Sequence, residues 1–447
     1  MTAIAGIQRG GEQEKVAIML GRMSHRGNDW RHIDEKNGAT LGASGTKNQK
    51  KSAQKTQNGQ LAVEFISRNH YASAKMTPGG LELTRDPLGI SPMYYGRTTD
   101  GALCFASEVK GLLAITKDVH ELPPGYTLTG TKLTRNPRPV KKNHRNGSAE
   151  SYARELRRKF EASVRNRIGE GYAGSWLSGG IDSTALAALV SPHVKEFHTF
   201  TAGFAGSPDV HYAQIAARHI GSIHHTRIVT TDEIIQTIPD VIYHLESFDA
   251  LLIRSSLLNF LVAKAAADYV PAVFSGEGAD ELFGGYEYLH KIPHHKLQDE
   301  LNDIIGRLHN TALQRVDRSA SAHGMVAYVG LLDQDIVELA SEIPAEYKIR
   351  DGVEKWILRK AVEDLLPEEL LMRKKAKFWQ GGGVEEIIAE HADRMISDHD
   401  FAAERKLPNG ETLNSKEELL YYRIFEENFG KFEDLAWMGR TKGAPVS

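Results

Sequence analysis

A single cysteine, Cys104, is all the disulfide-forming capacity this chain has, so an internal disulfide is excluded and a reducing, cytoplasmic setting is expected. Excess charge is missing as well. The net charge is −3 and 25% of residues are charged, which leaves no electrostatic reason to bind nucleic acid or an anionic membrane. Long apolar runs are absent too: windows such as Leu257 to Ala267 are short and interrupted by Asn259 and Lys264, so no membrane span is expected. The opening residues, MTAIAGIQRGG, carry no charged segment followed by an apolar stretch, and no signal peptide is read. Repeats and low-complexity tracts are lacking. What remains is 447 residues, enough for two or three domains with ordinary cores.

The chain is organised around GSWLSGGIDSTALAALV, Gly174 to Val190. The apolar run Tyr172 to Leu177 reads as a buried strand, and Thr184 to Val190 as the start of a helix. Between them lies Ser178-Gly179-Gly180-Ile181-Asp182-Ser183. Two glycines let the backbone fold back so that successive N–H groups share one concavity, and the helix N-terminus adds partial positive charge. That is an anion site, and a phosphate suits it. The spacing GxxxxGK[ST] is absent, and a carboxylate, Asp182, stands in the loop instead. A divalent cation would resolve the repulsion, so the loop predicts Mg²⁺ on Asp182 and a gripped pyrophosphate, suited to splitting ATP between its α and β phosphates. A tight strand-to-helix turn with an N-capping Asp or Ser is the bland alternative.

Ala272 to Tyr286, AVFSGEGADELFGGY, forms a second strand and loop. Ser275 and Gly276 offer backbone donors, while Glu277, Asp280 and Glu281 crowd three carboxylates together. Such crowding calls for cations, and Asp280 reads as a second Mg²⁺ ligand opposite Asp182; a solvated acidic loop is the alternative. An amphipathic helix from Ser151, apolar at Leu156, Phe160 and Val164, precedes the phosphate loop. Phe197 to Phe204 reads as a further strand, whose end at Thr201 to Phe204 would border the adenine or ribose in a doubly wound sheet. Asp209 to Ile220 reads as a helix and Arg227 to Val229 as a third strand, preceded by His224 and His225 on an exposed loop.

Ser178 to Ser183 resembles the SGGxDS loop of the N-type ATP pyrophosphatases, and Ser275 to Glu281 with the residues downstream is similar to the asparagine synthetases. The resemblance implies an α/β adenine-nucleotide alpha-hydrolase-like ATP pyrophosphatase domain over residues 150–447. It places Leu177, Ser178, Gly179, Gly180, Asp182, Ser183, Ser275 and Gly276 around ATP and pyrophosphate. It also implies that Glu277 accepts a proton from an incoming amine. Lys375, within Arg373-Lys374-Lys375-Ala376-Lys377-Phe378, would neutralise charge developing at the α-phosphate, on a closing loop loosened by Gly381, Gly382 and Gly383. Leu313 to Asp333 aligns without gaps to a family segment, matching at Arg315, Asp317, Arg318, Gly324, Leu332 and Asp333, and Tyr421 to Phe425 resembles the family's last helix.

Around the substrate pocket that the resemblance implies, Glu246, Asp249 and Arg254 stand at family positions. Leu251 and Leu252 replace a pair of threonines, however, and Val326 stands where the family has Glu. Isobutyl groups cannot make a hydroxyl's hydrogen bonds to phosphate or carboxylate, so a changed acid is expected. Leucines that merely face the core are the competing reading.

Residues 1–135 read as mostly β, with short runs at Leu61 to Ser67, Leu81 to Thr84, Met93 to Gly96 and Ala102 to Ala106. MTAIAGI, Met23 to Asp29, Thr84 to Gly89, Phe105 to Lys110 and Leu122 to Gly125 resemble the glutaminase half of glutamine-dependent asparagine synthetases. This implies a glutamine amidotransferase type 2-like domain, an α+β N-terminal nucleophile-type sandwich. The family's nucleophile is a Cys at position 2, where this chain has Thr2; Ala43-Ser44-Gly45-Thr46 replaces an Arg-Leu-Ser segment, and the glutamine-gripping Asn-Gly-Glu-Ile-Tyr-Asn is absent, with Val63 to Asn69 in its place. A shortened, degenerate domain is therefore expected, a scaffold in which His25 and Arg26 are turn residues. A Thr nucleophile using its own α-amino group as base is the other reading. Residues 136–149, within the polar and basic stretch Thr131 to Glu150, read as a linker.

The expected activity is that of an AMP-forming amide ligase: it adenylates a small carboxylic acid and joins it to ammonia or another amine without glutamine. ATP and Mg²⁺ are its expected cofactors, and small molecules its partners; neither nucleic acid nor membrane is expected, and a homodimer is allowed. Ammonia-dependent asparagine synthesis from aspartate, intramolecular closure like that of β-lactam synthetases, and ATP binding without catalysis are the rivals.

Overall fold

The structure is a computed structural model that describes residues 2–47, 65–67, 70–136, 147–168, 172–373 and 383–441. Its first half is organised by period-2 alternation. In strand Thr2–Ile7, Ile4 faces one way while Ala3, Ala5 and Ile7 face the other; in Leu103–Ala106, Leu103 and Phe105 oppose Cys104 and Ala106. A strand apolar on both sides must be covered on both sides. These two strands pair at the centre of an antiparallel sheet, with the order Trp30–Lys36, Ala39–Gly45, Thr2–Ile7, Leu103–Ala106, Tyr94–Arg97, His120–Glu121. Ile4, Leu41 and Phe105 pack on Ala72, Leu81, Leu83 and Leu128 of a second antiparallel sheet, ordered Lys132–Arg135, Tyr126–Thr129, Gly80–Arg85, His70–Thr77, Phe65–Ser67. Helix Gln13–Arg22 covers the other face through Val16, Met19 and Leu20.

The anticipated runs after Leu81, Met93 and Ala102 are strands, but the expected connection is partly strand as well. Lys132–Arg135 forms a hairpin with Tyr126–Thr129. All four of its residues are exposed at the sheet edge, and its charged ends, which suit an edge exposed to water, are what made it read as connecting chain. Residues 137–146 lie outside the described residues, as do 48–64 and 68–69, which include most of the anticipated Leu61 to Ser67 run.

The second half contains a five-stranded sheet that is parallel throughout, with the order Ile223–Ile228, Glu196–Gly203, Tyr172–Trp176, Ala272–Phe274, Val326–Tyr328. The chain builds outward from Tyr172–Trp176 on one side, then crosses to its other side. The order therefore reverses between Tyr172–Trp176 and Ala272–Phe274, and ligands bind beyond the carboxyl ends of strands at such a reversal. The third strand begins at Ile223, four residues earlier than expected. His224 and His225 accordingly lie in the sheet, not on an exposed loop: His224 meets Thr199 Oγ1 at 3.0 Å and His225 meets His198 at 2.9 Å.

Helix Ala250–Ala267 corrects the reading of apolar runs. By length and composition, with a mean hydropathy of 1.4, it could cross a membrane; 61% of it is buried inside this fold. It packs on helices Thr231–Leu245 and Ala312–Ser321 and on strand Glu196–Gly203, the surroundings of a core helix.

The two halves share a continuous apolar core, with Tyr94 edge-on to Trp437. They also share a buried cluster of charges. Arg26 Nη1 donates to Glu108 at 2.8 Å and to Asp317 at 2.8 Å, and its Nε donates to the Thr2 carbonyl at 2.9 Å. Arg318 donates to Glu108 at 2.9 Å and Glu246 at 3.1 Å, and Lys110 Nζ lies 2.6 Å from Glu108 and 3.0 Å from Glu246. Three cations thus face three carboxylates, with His25 beside Glu108 at 2.9 Å. Burial opposes charge on Glu108, but His25, Lys110 and Arg318 together hold its carboxyl well below the usual range. His25, edge-on to His244, and Arg26, paired with Asp317, are therefore more than turn residues; they tie the halves together.

Candidate active site

The phosphate loop leaves strand Tyr172–Trp176 and enters helix Ile181–Val190, whose N-cap is Gly180. The helix begins three residues before the expected Thr184, so Asp182 and Ser183 sit in its first turn. Gly179 adopts φ +69°, and a Cβ there would lie 2.5 Å from the backbone carbon of Tyr212, so only glycine allows the turn to press against helix Pro208–Ile220. Hydroxyls brace the loop: the Ser178 N–H donates to Ser183 Oγ at 3.1 Å and the Gly180 N–H to Ser178 Oγ at 3.3 Å. Leu177 is buried, and its N–H donates to the Phe200 carbonyl at 2.8 Å, closing the sheet. Arg373 stacks over Tyr212, pairs with Asp209, and donates to the Ser178 carbonyl at 2.8 Å. Lys375, Gly381 and Gly382 lie outside the described residues.

The second loop lies directly alongside. A Cβ on Gly276 would stand 2.8 Å from the Ser183 nitrogen and 3.1 Å from Asp182 Cβ, so glycine is what lets the two loops touch. The buried Ser275 uses its N–H within the sheet, donating to the Tyr328 carbonyl at 2.9 Å.

Asp182 and Asp280, 98 positions apart in sequence, converge on one nitrogen. Lys355 Nζ lies 2.5 Å from Asp182 Oδ2 and 2.7 Å from Asp280 Oδ1. Lys355 is buried, and burial works against its charge, but the two carboxylates outweigh that and raise its pKa above the lysine range. Its backbone is left-handed, φ 55° and ψ 32°, at the N-cap of helix Trp356–Ala361. Sequence reasoning missed this residue. The one available signal was the glycine pair at 284–285: a Cβ on Gly285 would stand 2.0 Å from both Asp280 Oδ1 and Lys355 Cε.

The donor set suits Mg²⁺ held jointly with a nucleotide. Among the described residues no group of three or more His, Cys, Asp or Glu could hold a metal ion. Mg²⁺ usually takes one or two carboxylates and completes its shell with phosphate oxygens and water. Asp182 and Asp280 are two carboxylates already directed at one cationic centre beside the phosphate loop.

Glu277 is ion-paired with Arg315 Nη2 at 2.5 Å. Glu281 is buried and accepts from the Tyr286 hydroxyl. Burial, then the charges on Asp280 and Glu277, push its carboxyl up to about 7.

The expected pocket residues scatter. Leu252 is buried in the core and Leu251 is 36% exposed on the same helix. Arg254 is engaged by Glu417, 2.8 Å from its Nε, and by Glu385 at 2.6 Å from Nη1, which links three helices. Val326 pairs with Ala272 at the amino end of its strand, whereas the crevice opens at the carboxyl end, past Tyr328. It is parallel pairing that puts Val326 there.

Comparison with known proteins agrees with this architecture. A family profile described as asparagine synthase matches residues 155–302 and 294–442, and one described as a glutamine amidotransferase domain matches residues 74–137. The chain is 35% identical over 372 residues to asparagine synthetase [glutamine-hydrolyzing] 2 of Oryza sativa subsp. japonica, which covers 78% of this chain and 63% of the rice protein. It is 33% identical over 383 residues to asparagine synthetase B [glutamine-hydrolyzing] of Escherichia coli K12, covering 77% of this chain and 67% of that one. The chain thus spans just under two thirds of the rice relative's length. With one profile covering most of its second half and these identities extending beyond it, the chain belongs to the asparagine synthetase family.

Proposed function

We propose that this protein is an ATP-dependent, AMP-forming amide ligase that adenylates a small carboxylic acid and couples it to ammonia or another amine without using glutamine. The observation that carries this reading is the convergence of Asp182 and Asp280 on one cationic centre beside the Ser178 to Ser183 loop. A loop of that shape grips a pyrophosphate through backbone N–H groups and a helix N-terminus. Mg²⁺, when bound by Asp182 and Asp280, would offset the negative charge of the leaving pyrophosphate. Lys355 then supplies a positive charge to the pyrophosphate oxygens, and Lys375 a second one at the α-phosphate, as the family resemblance implies. Once an acyl adenylate has formed, the amine nitrogen bonds to the carbonyl carbon and AMP leaves. Glu277 accepts the amine proton, held in one orientation by Arg315. A carboxylate in an ion pair is a weak base, sufficient for the strongly acidic N–H of a nitrogen that has just bonded to carbon.

Residues 1–135 act in this reading as a shortened N-terminal nucleophile-type sandwich without glutaminase activity, joined by a linker to the ligase part at 150–447. Thr2 supports this: it is 3% exposed and its carbonyl accepts from Arg26. The test is release of pyrophosphate and AMP from Mg·ATP across a panel of small carboxylic acids including aspartate, each with ammonia, glutamine and other amines. Release with an acid and ammonia is expected. Turnover with glutamine in ammonia-free buffer would overturn the glutamine-independent part, and no release with any pair would overturn the ligase.

A further inference from the structure

We propose that Lys355 is a resident counter-ion that holds the metal-binding carboxylates closed to a divalent cation until pyrophosphate oxygens draw its ammonium away. Metal binding by this chain is thereby conditional on nucleotide. The inference rests on the reading of Asp182 and Asp280 as the metal ligands.

Three features of the geometry carry it. The ammonium touches the same two oxygens, at 2.5 and 2.7 Å, that a divalent ion would need. Mg²⁺ binds oxygens at roughly 2.0–2.1 Å, so an ion on both carboxylates would share the space of Nζ and repel its charge. Second, the side chain is confined: Lys355 is 2% exposed, and Gly285 is glycine because any Cβ would collide with Lys355 Cε at 2.0 Å. Third, the lysine backbone is left-handed, an unfavourable state for a long side chain that persists only when its surroundings enforce it. The two carboxylates and one ammonium leave a single net negative charge, weak attraction for a bare divalent ion. The pyrophosphate of ATP changes both sides of the balance, since its oxygens can take the ammonium and complete the metal's shell together.

The experiment is Mn²⁺ titration of the full chain, read by electron paramagnetic resonance, with and without a non-cleavable α,β-methylene ATP. The variants are Lys355→Met and Lys355→Asn, the latter because asparagine tolerates the left-handed backbone. Without nucleotide, the wild type is expected to bind Mn²⁺ at least 10-fold more weakly than either variant; with nucleotide it binds tightly. Equal Mn²⁺ affinity of wild type and folded variants without nucleotide would overturn the proposal. If neither variant folds, the wild type decides: nucleotide-free Mn²⁺ binding within threefold of that with nucleotide overturns it, and a larger gap supports it. No Mn²⁺ binding by the wild type even with nucleotide would remove the metal-ligand reading itself, a different result from metal bound regardless of nucleotide.

Discussion

Replacing Glu108 by Ala should test whether the buried charges hold the two halves together. Glu108 is fully buried and meets Arg26, Arg318 and Lys110 at 2.8, 2.9 and 2.6 Å. Without it, three cations face only Glu246 and Asp317, leaving one uncompensated charge in the interior. Breaking a buried pair in this way costs about 3–5 kcal/mol. Unfolding entropy of roughly 2.1 cal/mol/K per residue over 447 residues amounts to ~0.9 kcal/mol/K, so Tm should fall by about 4 °C. Calorimetry on the Glu108→Ala protein measures this. The double variant Glu108→Gln with Lys110→Met restores neutrality and should regain about half of the loss, a coupling on the order of 2 kcal/mol. Acid gives an independent readout. Because the folded carboxyl sits well below its ordinary 4.5, the unfolded chain takes up the proton first as pH falls. The stabilisation is therefore present above about 4.5 and is lost as pH drops through the lower, folded value, and Glu108→Ala should flatten that acid limb. A Tm change under 1 °C, or a double variant equal to the sum of its singles, would refute the reasoning.

Gly179→Ala should weaken ATP binding at least 10-fold by calorimetric titration, because the new Cβ would meet the Tyr212 backbone at 2.5 Å in a left-handed turn; unchanged affinity would refute the packed-loop account. Lys348 is buried, with its ammonium nitrogen 2.6 Å from Gln298 Oε1, and burial lowers its pKa to about 7. Between about 7 and 10.5 the unfolded chain holds a proton that the folded chain lacks, so stability should rise with pH across that window. The ceiling is about 5 kcal/mol at 1.36 kcal/mol per unit; urea unfolding of Lys348→Met should lose the slope, and a retained slope would place its cause elsewhere. Thr2→Ala should leave ammonia-dependent pyrophosphate release within twofold, whereas loss of a glutamine-dependent rate would show that Thr2 is a nucleophile.

The residues from Tyr172 to Val190 were legible because strand, glycine turn and helix are local: each follows from spacing within a few positions. The same holds for Ala272 to Phe283. Alternation in Leu103–Ala106 was equally local. The hairpin strand Lys132–Arg135 was not, since an exposed charged edge carries no apolar pattern.

Sequence alone thus determined which short segments make a glycine turn between strand and helix and an acidic loop, because those depend on backbone torsions and neighbouring charge. Tertiary structure decided what those loops meet. Parallel pairing of Tyr172–Trp176 with Ala272–Phe274 sets Gly276 against Asp182, and chain packing brings Lys355 between two aspartates. It also assigns Arg254 to Glu417 and Glu385, and Arg26 to Asp317. A charge's partner is fixed by distance in space, and over tens to hundreds of residues the spacing along the chain does not encode that distance.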